Sequence, residues 1–162
     1  MNKVVFFVSV GTHPQQFNRL LEEADKIAAR KKNWKFFAQT GHSDYKMKNA
    51  ESRDFWSGSE YNKIFEKASV IVCHAGAGTI INALELGKKL VVVPRITRFG
   101  EHTDNHQQEI AEALANAKKV ITVKNICELE EAMEKALKSR SALASSRKKL
   151  VKRIQSFLGE IQ

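Results

Sequence analysis

Two loops concentrate the residues able to do chemistry. The first, HAGAGT at positions 74–79, follows the apolar run ASVIVC. Glycines ahead of a helix leave backbone N–H groups uncovered, and the helix dipole adds positive charge, so the turn favours anions. A diphosphate suits it. The plainer alternative is that Gly76 and Gly78 only permit a tight strand-to-helix turn. The second loop, EHTDNHQQE at 101–109, is the densest set of polar side chains in the chain. His102, Asp104 and His106 are all metal-binding types. No further Cys or His stands nearby at a paired spacing, so no metal is expected. Asp, Asn, His and Gln together offer donors and acceptors, which the hydroxyls of a sugar require. A solvated loop with Asp104 starting a helix is the competing reading.

Two familiar phosphate motifs are absent. There is no GxxxxGK(S/T), which argues against a Walker-type nucleotide hydrolase. The first strand-to-helix turn, VGTHPQQF, carries one glycine rather than GxGxxG. No acid stands at the end of the second apolar run, FFAQTGH, to take a ribose diol, so an NAD-type enzyme is only a runner-up.

The elements that must hold these loops alternate. Apolar runs at 4–10, 34–38, 69–73, 89–93 and 119–123 read as strands, with a short third strand at 53–57. Helical periodicity covers 15–31, a helix capped by Ser59 through Lys67, 79–87, 104–116, 128–137 and a last helix at about 141–158. Buried strands separated by amphipathic helices predict an α/β fold, a Rossmann-like parallel sheet with helices on both faces. Such sheets bind ligands at the carboxyl ends of their strands. GTHPQ, HAGAGT and PRITRFGEHTDNHQ all leave strands at that end.

With 162 residues the chain is expected to form one main domain, at 1–138, followed by a basic amphipathic helix at 139–162. Cys73 and Cys127 suggest neither a disulfide framework nor a metal knuckle, which fits a cytoplasmic compartment. Much of the net charge of +9 comes from Lys138, Arg140, Arg147, Lys148, Lys149, Lys152 and Arg153. Only Phe157 interleaves aromatic character with that tail, so no nucleic acid is expected as a partner. Leu143, Leu150, Ile154, Phe157 and Ile161 form one stripe of the helix. It either folds back on the domain, lies on a membrane surface or docks on a partner.

VSVGTHPQQFNRLL, ASVIVCHAGAGTIINALELGKKLVVVPR and DNHQQEIAEAL occur in the order found in the glycosyltransferase family 28 C-terminal domain. The chain resembles that family over about residues 3–137, and its short stand-alone members most of all. The resemblance implies the C-terminal half of a GT-B enzyme, which binds a UDP-sugar such as UDP-N-acetylglucosamine. It implies as acceptor a polyprenyl-diphosphate-linked sugar, and a membrane-anchored partner subunit that supplies the acceptor half and on which the C-terminal helix docks near the membrane. This places the chain peripherally at the cytoplasmic face of a membrane, with self-association open when unpaired.

Carried over by position, Gly11 and Thr12 match the first phosphate loop. His74, Gly76, Ala77, Gly78 and Thr79 match the donor diphosphate loop, and Asp104, Asn105, His106 and Gln107 the segment that reads the transferred sugar. Asn82 stands where relatives often place Glu or Asp to hold the ribose. An amide accepts one such bond without the charge-assisted strength. His13 is the catalytic base candidate within the chain, because imidazole titrates near neutrality; a base on the partner is the alternative. The competing function is a non-catalytic nucleotide-sugar module of the same fold.

Overall fold

The computed structural model describes residues 3–116, 120–140, 148–149 and 151–156. Six strands form one parallel sheet: β1 (Val4–Ser9), β2 (Trp34–Gln39), β3 (Glu51–Arg53), β4 (Val70–Cys73), β5 (Lys89–Val92) and β6 (Ile121–Thr122), in the order β3-β2-β1-β4-β5-β6. The helices are α1 (Asn18–Arg30), α2 (Gly58–Lys67), α3 (Ala77–Glu85), α4 (His106–Asn116) and α5 (Leu129–Lys138). This is the doubly wound order, and its direction reverses between β1 and β4, where Ser9 pairs with Cys73.

Strand pleating explains why both faces are covered. Phe6, Val8 and Val10 point to one side with Val70, Val72, Val91 and Val93, and meet α1 and α5 through Leu20, Leu21, Ala24, Ile27, Ala132 and Met133. Phe7, Ile71, Cys73, Leu90 and Val92 point to the other and meet α2, α3 and α4. Each alternate residue is therefore apolar, which is why these strands read as continuous runs. Val151 and Ile154 bury into the second cluster, while Lys148, Lys149, Lys152 and Arg153 on the same helical stretch are exposed. This part of the tail covers its own domain, and Leu143, Leu150, Phe157 and Ile161 lie outside the described residues.

Three local expectations change. The third strand is Glu51–Arg53 rather than 53–57. It is polar because it is an edge strand, pairing only with Phe37–Gln39. Ser57, not Ser59, caps α2: its hydroxyl accepts the Glu60 N–H while the Glu60 side chain accepts the Ser57 N–H, a complete capping box. The last strand shortens to Ile121–Thr122, paired with Val91 and Val92.

Candidate functional site

The loops after β1 and β4 meet at the reversal point, with His74 between them. Its imidazole is 8% exposed and lies against Gly11 and Gly76. A Cβ at Gly11 would stand 2.3 Å from His74 Cε1, and one at Gly76 would stand 2.0 Å from Nε2. Gly11 is also left-handed, with φ of 78°, a conformation that disfavours side chains. Both glycines are thus needed to admit the ring. Burial, then the charge of Arg95, pushes the His74 pKa down to about 4, so the ring is neutral. Its Nδ1 has no hydrogen-bond partner among the described residues.

Gly78 differs. A Cβ there would meet no described atom within 4 Å, so packing within the chain does not explain the missing side chain. It lies in the first turn of α3, whose N-cap is Gly76 with no side-chain cap among the described residues. The N–H groups of Ala77, Gly78 and Thr79 are the orphan donors of that turn. The Gly11 N–H likewise takes no partner among the described residues. Uncapped amides at a helix start beside a glycine loop suit an anion. One turn further along α3 stands Asn82, half-buried. Below Thr79 the Tyr61 phenol sits against the Thr79 and Ser9 side chains, and burial raises its pKa.

The loop after β5 is held by groups that the sequence did not announce. Arg95 is 0% exposed. Its Nη1 donates to the carbonyls of Gln15 (2.9 Å), Gln16 (3.1 Å) and Glu101 (2.9 Å), and its Nη2 to that of Val10 at 2.6 Å. The guanidinium also lies 4.8 Å from the centre of the Phe17 ring. Burial lowers its pKa to about 10, which still leaves it charged. Glu101, buried in turn, accepts two bonds from Arg19 at 2.9 Å and one from the Ile96 N–H at 2.9 Å. Neither Arg95 nor Glu101 has a sequence signature beyond standing in a polar loop, because most of their partners are some 80 positions away, in the loop after β1 and on α1.

The polar segment of that loop comes to the same mouth. The rings of His13 and His102 stack with centroids 4.3 Å apart. Asp104 Oδ1 accepts the His106 N–H at 3.0 Å, an Asx turn that starts α4, and lies 3.2 Å from Nδ1 of both His102 and His106. The His106 N–H bond is the main cause that lowers the Asp104 pKa. Asn105 Oδ1 accepts from the Thr97 hydroxyl at 2.9 Å. Gln107 is buried, and its Oε1 accepts the Arg95 N–H at 3.1 Å; its amide nitrogen makes no such bond to a described residue. The structure therefore brings Gly11, His13, His74, Thr79 and the 102–107 segment around one mouth. Asp104 spends one oxygen on the segment's own backbone, while Asn105 and Gln107 spend theirs on Thr97 and Arg95 earlier in the same loop.

At His13 the Gln15 N–H reaches Nδ1 at 3.4 Å, a long and weak contact, which puts the proton of the neutral ring on Nε2. Burial, then His102 and Arg95, lowers its pKa, while Asp104 opposes. No group of three or more His, Cys, Asp or Glu is placed to hold a metal among the described residues. No helix among the described residues is long and apolar enough to cross a membrane.

A doubly wound sheet with an open amide cluster at its reversal point and a polar loop facing it is a ligand-binding α/β domain with its crevice at the carboxyl ends of the strands. The solved structures agree on the fold. The structure of a kitacinnamycin glycotransferase superposes with a TM-score of 0.69 at 21% identity over 94% of this chain and 39% of its own. The NMR structure of ALG13 gives 0.61 at 18% identity, over 93% and 95%. The chain belongs to the glycosyltransferase family 28 C-terminal domain, whose model matches residues 5–160. Among curated proteins it is 33% identical over 93 residues to UDP-N-acetylglucosamine transferase subunit ALG13 of Candida glabrata, which covers 56% of this chain and 45% of that protein. It is 31% identical over 128 residues to the UDP-N-acetylglucosamine–N-acetylmuramyl-(pentapeptide) pyrophosphoryl-undecaprenol N-acetylglucosamine transferase of Bdellovibrio bacteriovorus, over 74% of this chain and 34% of that enzyme. The matches thus span less than half of these relatives' length.

Proposed function

We propose that this chain is the donor-binding part of a UDP-sugar glycosyltransferase, with UDP-N-acetylglucosamine as the reference donor. The observation that carries the reading is the uncapped first turn of α3 beside Gly11 at the reversal point, with Gly78 opening onto space that no described side chain fills. The names of the relatives, transferases of N-acetylglucosamine from UDP, support the same donor. In this reading the diphosphate lies over Gly11, Thr12 and Ala77–Thr79, the ribose reaches Asn82, and the sugar faces Asp104, Asn105, His106 and Gln107. His74 acts beneath, as the neutral spacer between the two glycine loops.

The acceptor hydroxyl attacks the anomeric carbon, and the bond from that carbon to the β-phosphate oxygen breaks with its electron pair leaving on UDP. Charge therefore grows on the leaving phosphate, and preorganised N–H groups stabilise it there without reorganisation. The acceptor proton goes to a base. His13 fits because its lowered pKa keeps it unprotonated at neutral pH, and the 3.4 Å contact at Nδ1 is weak enough to yield. The acceptor is a sugar on a polyprenyl diphosphate, presented by a membrane-anchored partner subunit. One relative is itself called a subunit, and another acts on a pyrophosphoryl-undecaprenol substrate. On this reading the chain works peripherally at the cytoplasmic face of the membrane.

The test is reconstituted transfer: radiolabelled UDP-N-acetylglucosamine, a polyprenyl-diphosphate sugar, and the chain with its candidate partner. Label should enter the lipid phase and be lost with Gly78→Val. Absence of transfer, with UDP binding intact, would leave the competing reading of a non-catalytic donor-binding module. Asn82, lacking a carboxylate for the ribose, is the observation that favours it.

A further inference from the structure

Arg95 is a buried cation whose ligands are main-chain carbonyls. Glu101 also faces it, but its carboxylate is spent on Arg19 and on the Ile96 N–H. The guanidinium instead gathers the carbonyls of Val10, Gln15, Gln16 and Glu101. These belong to two loops at the mouth, one after β1 and one after β5. In a trans peptide the carbonyl of one residue and the N–H of the next point in opposite directions, and no described peptide is cis. Drawing the Val10 carbonyl inward therefore turns the Gly11 N–H away from the guanidinium, and drawing in the Glu101 carbonyl does the same to the His102 N–H. The Gly11 N–H has no partner among the described residues, and His102 opens the polar segment stacked on His13. The Arg95 N–H in addition holds Gln107 Oε1, which ties the start of α4 to the same centre.

We propose that Arg95 is a positioning residue: it fixes which way the peptides of the two mouth loops face, and so aims the Gly11 amide at the diphosphate and sets the His102 peptide at the edge of the mouth. The proposal rests on the donor-site reading for its ligand, but the orientation of the loops is a property of the free protein. A lysine keeps the charge but offers one nitrogen, which cannot stand both at Nη1, where three of the carbonyls converge, and at Nη2, which holds that of Val10. A methionine loses both.

The experiment compares the full chain with Arg95→Lys and Arg95→Met, each checked for folding by circular dichroism and thermal melting. Amide shifts and histidine titrations are followed by NMR in the free protein, and UDP affinity by calorimetry. In Arg95→Lys the Gly11 and His102 amides should move and UDP should bind about tenfold more weakly, a loss of ~1.4 kcal/mol. His13 and His74 should still titrate low, because burial, the larger cause, and the positive charge both remain. In Arg95→Met the affinity should fall at least as far, and both histidines should titrate at higher pH. A purely structural role predicts lower melting temperatures with UDP affinity per folded molecule unchanged, and that result would overturn the proposal. So would unmoved Gly11 and His102 amides in Arg95→Lys. If the wild-type chain binds no UDP, the donor-site reading falls, and those amides alone decide whether Arg95 orients the loops. Should Arg95→Met not fold, Arg95→Lys carries the decision.

Discussion

Gly76 and Gly78 stand two positions apart in one loop, and the structure gives them opposite reasons for being glycine. At Gly76 the backbone is ordinary, with φ −84° and ψ 127°, so a side chain is refused only by space. The added Cβ of Gly76→Ala would lie 2.0, 2.6 and 2.8 Å from three atoms of the His74 ring. That ring is itself buried, so displacing it means repacking its surroundings, and the cost is that of overpacking, about 1–3 kcal/mol. At Gly78 the same methyl meets no described atom within 4 Å, and alanine favours the helix by up to about 1 kcal/mol. Gly78→Ala should therefore leave stability unchanged or raise it, yet weaken UDP, because the methyl stands where the diphosphate approaches the amides. Urea unfolding measures the first effect and calorimetry the second. A double-mutant cycle sharpens the case: in a His74→Ala background, the penalty of Gly76→Ala should vanish. An equal penalty in both backgrounds would refute the ring-spacer account, and a Gly78→Ala protein that binds UDP like wild type would refute the placement of the diphosphate.

Three further outcomes follow from single groups. His74 falls from an ordinary 6.5 to about 4 on folding, so the stability of its neutral form is complete above pH 6.5 and is lost as pH falls towards 4, by about 3 kcal/mol in all; urea midpoints measured from pH 7 to 4 should show this slope, and His74→Gln should flatten it. Asn82→Glu should tighten UDP several-fold by restoring a charge-assisted bond to the ribose, with an unchanged or weaker titration arguing that the ribose lies elsewhere. Ser57→Ala should cost about 1 kcal/mol by opening the α2 capping box, read from the melting temperature, with UDP affinity unaltered.

The parts of the fold that were legible are those where burial on both faces leaves a continuous signal. VVFFVS, VIVC and KLVV declare themselves as central strands, and helices such as α1 and α5 show one apolar face. Glu51–Arg53 is not legible in the sequence, because an edge strand is defined by its backbone pairing, which its polar side chains do not advertise. Ser59 and Ser57 are equally good caps by type. Only the reciprocal bonds with Glu60 decide for Ser57. At the site, the three loops were readable as loops leaving strands on one side, since topology fixes that. Arg95, Glu101 and Arg19 were not, because a buried charge is recognised by its partners, and theirs are distant in sequence. The reading of His74 as one more member of an anion-binding loop likewise had no way to show that its ring is turned inward between two glycines.

The most direct measurement is an NMR titration of the chain with UDP-N-acetylglucosamine, following every assigned amide. The account predicts saturable binding with the largest shifts at Gly11, Thr12, Ala77, Gly78 and Thr79, then at Asn82 and residues 104–107. Saturation with shifts confined to another face of the sheet, or no shift at millimolar donor, would contradict it.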